Sequence, residues 1–146
     1  MSNRINIQQL EPDAYKAMNA LEKYLLGTRL NPIHKVLIQI RASQINGCAY
    51  CINLHTKDAR KLDVAEQRIY ALNAWRDTSF FTEVEQAILS ITEEVTLISH
   101  RVSDETYNQA AKVLEERYLA AVIMAAITIN AWNRISIATR MMPAAD

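Results

Sequence analysis

The chain has 146 residues, of which 50% are hydrophobic and 22% charged, a composition suited to burying roughly 68–70% of the surface without disulfide or metal staples. Two glycines and three prolines, against a usual combined share of roughly 12%, leave little turn material for an all-β protein and point to helices. Sixteen basic residues balance sixteen acidic ones, which argues against nucleic acid or an anionic membrane surface as partner and lowers the barrier to self-association.

In chain order, the opening segment MSNRINIQQLEPDAY has no apolar region of about 7–15 residues before a cleavage site, so no leader and a cytoplasmic location are expected. Pro12 suits the first position of a helix carrying Tyr15, Met18, Leu21 and Leu25 at helical spacing, with Gly27 as its stop. Asn31 and Pro32 begin a second helix through Val36, Leu37 and Ile40. Asn46-Gly47 interrupts it, and a third helix is expected from about Cys48. Asp63 with Glu66, and Thr82 with Glu85, have capping-box spacing and predict the starts of a fourth and a fifth helix. Ser103 or Asp104 caps a sixth, and a seventh covers roughly Leu119 to Arg140.

The fifth helix has an apolar stripe at Val84, Ala87, Ile88, Ile91, Val95 and Ile98, with Leu89 and Leu97 on its far side. The seventh is apolar almost all round. Such helices belong in the middle of a bundle or in a subunit interface, and a small domain favours the interface. The longest apolar stretch, Leu119 to Ile129, is shorter than the roughly 20 residues that span a bilayer. With no repeat or linker, residues 1–146 are expected to form one all-α domain of about seven helices.

The segment with the most chemistry is SQINGCAYCINLHTKDARK. Cys48, Cys51 and His55 fall on one face of the third helix. A thiol at a helix N-terminus meets unpaired N–H groups and the positive end of the dipole, which favour a thiolate. Cysteines three apart in a helix are close enough to form a disulfide. A histidine one turn further exchanges protons near neutral pH. An activated thiolate, a resolving thiol and a proton carrier suffice to reduce a peroxide through a sulfenic acid and a disulfide, with an external dithiol restoring the pair. In a reducing compartment two cysteines are more often chemical than structural. Three other readings stand beside this one. The cysteines are small core residues, the trio with His34 or His100 holds zinc, or His55 is a satisfied surface histidine. Helix position favours Cys48 as the attacking thiol, and proximity to His55 favours Cys51.

The stretch RASQINGCAYCINLH resembles the signature of the alkylhydroperoxidase D-like family, within the carboxymuconolactone decarboxylase superfamily. Leu30-Asn31-Pro32, Ala71 to Trp75, Phe81 to Thr96 and Ile129 to Arg134 also resemble that family's pattern, so the similarity covers most of the chain. The resemblance implies an all-α fold assembled as a homo-oligomer, trimeric or hexameric, and a thiol-dependent peroxidase with no cofactor and no metal. In that chemistry Cys51 attacks, Cys48 resolves and His55 shuttles the proton, between a hydroperoxide substrate and an external dithiol reductant.

One position departs from the family pattern. The family's relay glutamate, twelve residues before the first cysteine, is Val36 here, which implies a less acidic Cys51 and slower turnover. Glu93 is a candidate replacement, or else a surface or interface carboxylate. A dithiol–disulfide oxidoreductase or redox sensor is the alternative activity, and a non-enzymatic oligomeric binding module the alternative class. The superfamily's decarboxylases do not depend on the cysteine pair, whose presence argues against that activity. Asn130, Trp132, Asn133 and Arg134 are expected to tie helices or subunits together by hydrogen bonds rather than to line a pocket.

Overall fold

The computed structural model describes residues 4–145; residues 1–3, the start of the segment read for a leader, and residue 146 lie outside it. The described residues form α1 (Ile7–Leu10), α2 (Pro12–Leu26), α3 (Pro32–Asn46), α4 (Ala49–Lys61), α5 (Glu66–Tyr70), α6 (Glu83–Thr96), α7 (Asp104–Val113) and α8 (Glu116–Thr139). Short 3-10 helices at Leu72–Asp77 and Ile98–His100 join α5 to α6 and α6 to α7. No strand occurs among these residues, so the all-α expectation holds.

Most helix ends follow the chemistry legible in the sequence. Asn31 Oδ1 accepts the Ile33 N–H at 2.8 Å ahead of Pro32. Thr82 and Glu85 form the expected capping box, with the Thr82 N–H donating to Glu85 at 2.8 Å and the Glu85 N–H to Thr82 at 3.2 Å. Ser103 caps α7 by accepting the Thr106 N–H.

Asp63 is the exception. It stops α4 instead of starting α5. Its φ of 57° is left-handed, and the Val64 N–H reaches back to the Ala59 carbonyl at 3.0 Å. This is a helix-ending motif that aspartate tolerates better than most residues. Ala65 then precedes α5 with no side-chain cap. The last helix also starts earlier than expected, at Glu116, because only Leu114 and Glu115 separate it from α7.

The core has two parts, and α3 and α6 contribute to both. Ile38 and Ala42 of α3 join Ile88 and Ile91 of α6, with Val122, Ala126 and Ile129 of α8, in the larger. Val36, Leu37 and Ile40 join Leu89, with Leu72, Trp75 and Phe81, in the smaller. Leu89 is therefore completely buried within the chain, while Leu97 on the same expected face is 44% exposed. Part of the second apolar face assigned to a subunit interface is covered by the 3-10 helix at Leu72–Asp77. Helix α8 is long and apolar enough to cross a membrane by length and composition, yet half of its apolar window is buried inside the bundle. It is the helix against which α3 and α6 pack.

Candidate active site

The joint between α3 and α4 sets the cysteine geometry. Gly47 takes φ 69°, a left-handed conformation that costs glycine little. The Gly47 N–H donates to the Gln44 carbonyl at 3.3 Å and the Cys48 N–H to the Ser43 carbonyl at 2.9 Å. These two bonds close α3 as a Schellman motif. Cys48 is at once the residue that ends this motif and the cap of α4, its Sγ accepting the Cys51 N–H at 3.4 Å. Cys48 is 1% exposed and Cys51 3% exposed, and both are free thiols.

Cys51 Sγ donates to Ser136 Oγ of α8 at 3.7 Å. Burial pushes the Cys51 thiol up to about 11, and its hydrogen bond with Cys48 adds to the rise, while Ser136 and Asn133 oppose it. The resting group is therefore a thiol at neutral pH. His55 lies one turn further along α4, its side chain 12% exposed and its Nδ1 3.4 Å from Asp58 Oδ2. Burial pushes its pKa down, against the opposing pull of Asp58 and Glu22, with Lys35 lowering it further. A neutral imidazole that donates from Nδ1 to Asp58 leaves Nε2 as an acceptor.

Cys51 and His55 share the wall of a cavity of about 540 Å³, lined mainly by α2, α3, α4 and α8. Its apolar walls include Leu25, Leu30, Leu54 and Tyr50. Tyr15 and Trp132 meet edge to face with centroids 5.3 Å apart, and both line the cavity. Cys48 is not part of the lining. Val36, at the relay position, does form part of the wall, 5% exposed.

Glu93 is not the replacement. One of its oxygens accepts from Arg41 Nε at 2.8 Å and Trp75 Nε1 at 2.9 Å, and the other from Arg76 Nη1 at 2.5 Å. Burial alone would raise its pKa, but Arg76, Arg41 and Trp75 together hold it below the usual carboxylate value. It is a structural anchor between α3, α6 and the 3-10 helix at Leu72–Asp77, away from the cavity.

The polar cluster of α8 divides in two. Asn46 Nδ2 donates to Asn130 Oδ1 and to Asn133 Oδ1, both at 2.9 Å. Asn133 Nδ2 donates to Ser43 Oγ at 3.0 Å, and Asn130 Nδ2 to Thr96 Oγ1 at 3.0 Å. These bonds tie α3, α6 and α8 together, as the sequence led one to expect. Trp132 instead faces the cavity, where its Nε1 donates to Glu22 Oε1 at 3.1 Å. Glu22 Oε2 accepts from Lys35 Nζ at 2.8 Å. Sequence reasoning missed Glu22, Lys35 and Ser136, because nothing local marks which face of α2 or α8 meets the thiols.

Among the described residues, no group of three or more His, Cys, Asp and Glu is placed to hold a metal ion. His34 Nδ1 is 2.7 Å from the Tyr118 hydroxyl, and His100 is exposed in the 3-10 helix Ile98–His100.

A helical bundle with two buried thiols at the start of one helix, and a histidine beside them on a mostly apolar cavity, defines a candidate thiol enzyme. Residues 12–94 match the carboxymuconolactone decarboxylase family, and the chain belongs to it as an AhpD-like member. The chain is 43% identical over 139 residues to the uncharacterized protein YdfG of Bacillus subtilis strain 168, spanning 94% of this chain and 95% of that one. A crystal structure of a protein of unknown function from Agrobacterium tumefaciens, suggested to be the antioxidant defence protein AhpD, superposes with a TM-score of 0.95 at 33% identity, covering 100% of both chains. A cysteine-to-alanine variant of the debrominase Bmp8 in complex with 2,3,4-tribromopyrrole shares the fold, with a TM-score of 0.81 at 19% identity over 94% of this chain and 74% of that one. Family and fold together support an enzyme.

Proposed function

We propose that the protein is a thiol-dependent peroxidase that reduces organic hydroperoxides through Cys51 and Cys48. The observation that carries this reading is the placement of Cys51, which reaches the apolar cavity with His55 beside it while Cys48 lies behind it at the cap of the same helix. That arrangement favours Cys51 as the nucleophile, Cys48 as the resolving thiol and His55 as the proton carrier.

Because burial holds Cys51 protonated, His55 takes the thiol proton as the sulfur attacks the terminal oxygen of the hydroperoxide. The S–O bond forms, the O–O bond breaks, and the departing alkoxide receives the proton from His55 to leave as the alcohol. Cys51 is then a sulfenic acid. Attack by Cys48 on its sulfur forms the disulfide and releases water. An external dithiol reduces the disulfide and is itself oxidised. In sum, one hydroperoxide and one dithiol yield an alcohol, water and a disulfide.

The unit that acts is proposed to be the whole 1–146 chain, self-associated as a trimer or hexamer. An apolar groove between α6 and α8, with Ile98 55% and Ile127 44% exposed, supports self-association.

A second reading, a dithiol–disulfide oxidoreductase or redox sensor, is favoured by Val36 standing in the cavity wall in place of a relay carboxylate. One experiment separates the two. The fully reduced protein receives one equivalent of an organic hydroperoxide, and its intact mass is followed over seconds to minutes. A rapid loss of two hydrogens that requires both cysteines establishes the peroxidase. An unchanged mass, with thiols that still exchange with added disulfide, establishes the oxidoreductase.

A further inference from the structure

The proton step leaves a charge to be accommodated. When His55 holds the Cys51 proton it is an imidazolium inside a mostly apolar cavity, where an unpaired charge is costly. The charged groups that line this cavity are Asp58 on α4, Glu22 on α2 and Lys35 on α3, and the other titratable groups are the Tyr15 and Tyr50 hydroxyls. From α8 the wall receives only uncharged side chains, Trp132 and Ser136. Asp58 shares its carboxylate with Lys61, whose Nζ lies 3.5 Å away. The side chain of Asp58 is 37% exposed, against 27% for Glu22.

Glu22 is held more firmly. One oxygen accepts the indole N–H of Trp132 at 3.1 Å and the other the ammonium of Lys35 at 2.8 Å, so the carboxylate is fixed between α3 and α8. We propose that Glu22 is a positioning residue for the proton transfer, its carboxylate stabilising the imidazolium of His55 from across the cavity in place of a relay carboxylate on α3. The inference rests on the peroxidase reading above. Its electrostatic direction is consistent with the surroundings of His55, where burial disfavours the charged ring, Asp58 and after it Glu22 favour it, and Lys35 disfavours it. Lys35 thus has two opposed effects: it anchors Glu22 and offsets part of its field.

No covalent step involves Glu22. The proton moves from Cys51 Sγ to His55 Nε2 and then to the departing alkoxide oxygen, and the carboxylate is unchanged at the end of the cycle. Glutamine at position 22 would remove the charge and keep an acceptor oxygen for one of the two donors, Trp132 or Lys35.

The test titrates His55 by NMR in the reduced wild-type protein, in Glu22→Gln and in Lys35→Met, and measures the rate of disulfide formation with tert-butyl hydroperoxide in each. Glu22→Gln is expected to lower the His55 midpoint measurably and to slow disulfide formation, because a negative charge facing the ring is removed. Lys35→Met is expected to shift the midpoint the opposite way. A merely structural role for Glu22 would change stability without producing these opposite shifts. His55 midpoints that coincide in all three proteins overturn the inference. If Glu22→Gln does not fold, Lys35→Met decides: an upward shift supports the inference and an unmoved midpoint overturns it. If the wild-type protein does not react with the hydroperoxide, the peroxidase reading fails and the inference falls with it. A wild-type protein that reacts, with a Glu22→Gln rate unchanged, overturns the inference alone.

Discussion

Cys48 Sγ accepts the backbone N–H of Cys51 at 3.4 Å, so one thiol of the pair caps the helix that carries the other. A sulfur occupies the place where serine, threonine, asparagine or aspartate usually stands, which joins helix stability to redox state at one atom. Cys48→Ser should keep the cap with a better acceptor, yet react once with hydroperoxide and stop at a Cys51 sulfenic acid that dimedone traps. Cys48→Ala should stop at the same point and lose about 0.5–1 kcal/mol of stability with the cap, read from urea midpoints. Cys51→Ser should abolish the reaction. Full activity in that variant would sink the assignment of the nucleophile.

Burial raises the Cys51 thiol to about 11, and two pH profiles follow. Alkylation of the native reduced protein by iodoacetamide should accelerate about tenfold per pH unit up to that value, since the thiolate is the reacting form. Folding stability should fall between about pH 9 and about pH 11. In that window the unfolded chain releases the Cys51 proton while the folded chain retains it, and the state that binds fewer protons gains as pH rises. Urea midpoints across the window, compared with Cys51→Ala, isolate the contribution.

Glu93 joins Arg41, Arg76 and Trp75 at a site where its side chain is 13% exposed. Glu93→Gln should cost roughly 3 kcal/mol, because removing one partner leaves a partly buried Arg41 charge uncompensated. The folded fraction of the variant should form its disulfide with hydroperoxide at the wild-type rate. A rate loss at unchanged stability would instead return Glu93 to the chemistry.

Asn133 is completely buried, accepting from Asn46 and donating to Ser43. Asn133→Ala should destabilise by about 2–3 kcal/mol, since both partners are left short of a hydrogen bond. Thermal unfolding by circular dichroism measures it.

Val36→Glu would place a carboxylate in the cavity wall that Cys51 and His55 share. Oxidation by hydroperoxide should quicken about tenfold or more, within the usual range of general acid–base effects. The same change should lower stability by roughly 2 kcal/mol, because Val36 also packs in the smaller core. Stopped-flow mixing of the reduced variant with hydroperoxide reads the rate. An unchanged rate would show that proton delivery does not limit oxidation.

What the sequence determined by itself was local. Pro32 behind Asn31, the Thr82–Glu85 box, Ser103 and Gly47 act within a few residues of where they stand, so they are legible without knowing the neighbours. The spacing of Cys48, Cys51 and His55 placed the trio at the start of one helix for the same reason. Asp63 was misleading because one residue type both stops and starts helices, and only its left-handed φ of 57° decides which. The tertiary structure alone decided what surrounds the trio. Which face of α2 meets α8 puts Glu22 in the cavity beside Trp132, and the packing of α6 against the 3-10 helix at Leu72–Asp77 turns Glu93 into an anchor. The protonation of Cys51 also belongs to the tertiary level, since burial raises the thiol against the opposing hydrogen bonds of Ser136 and Asn133 from α8. Capping acts through bonds three or four residues long, whereas burial and electrostatic fields depend on chain segments that only folding brings together.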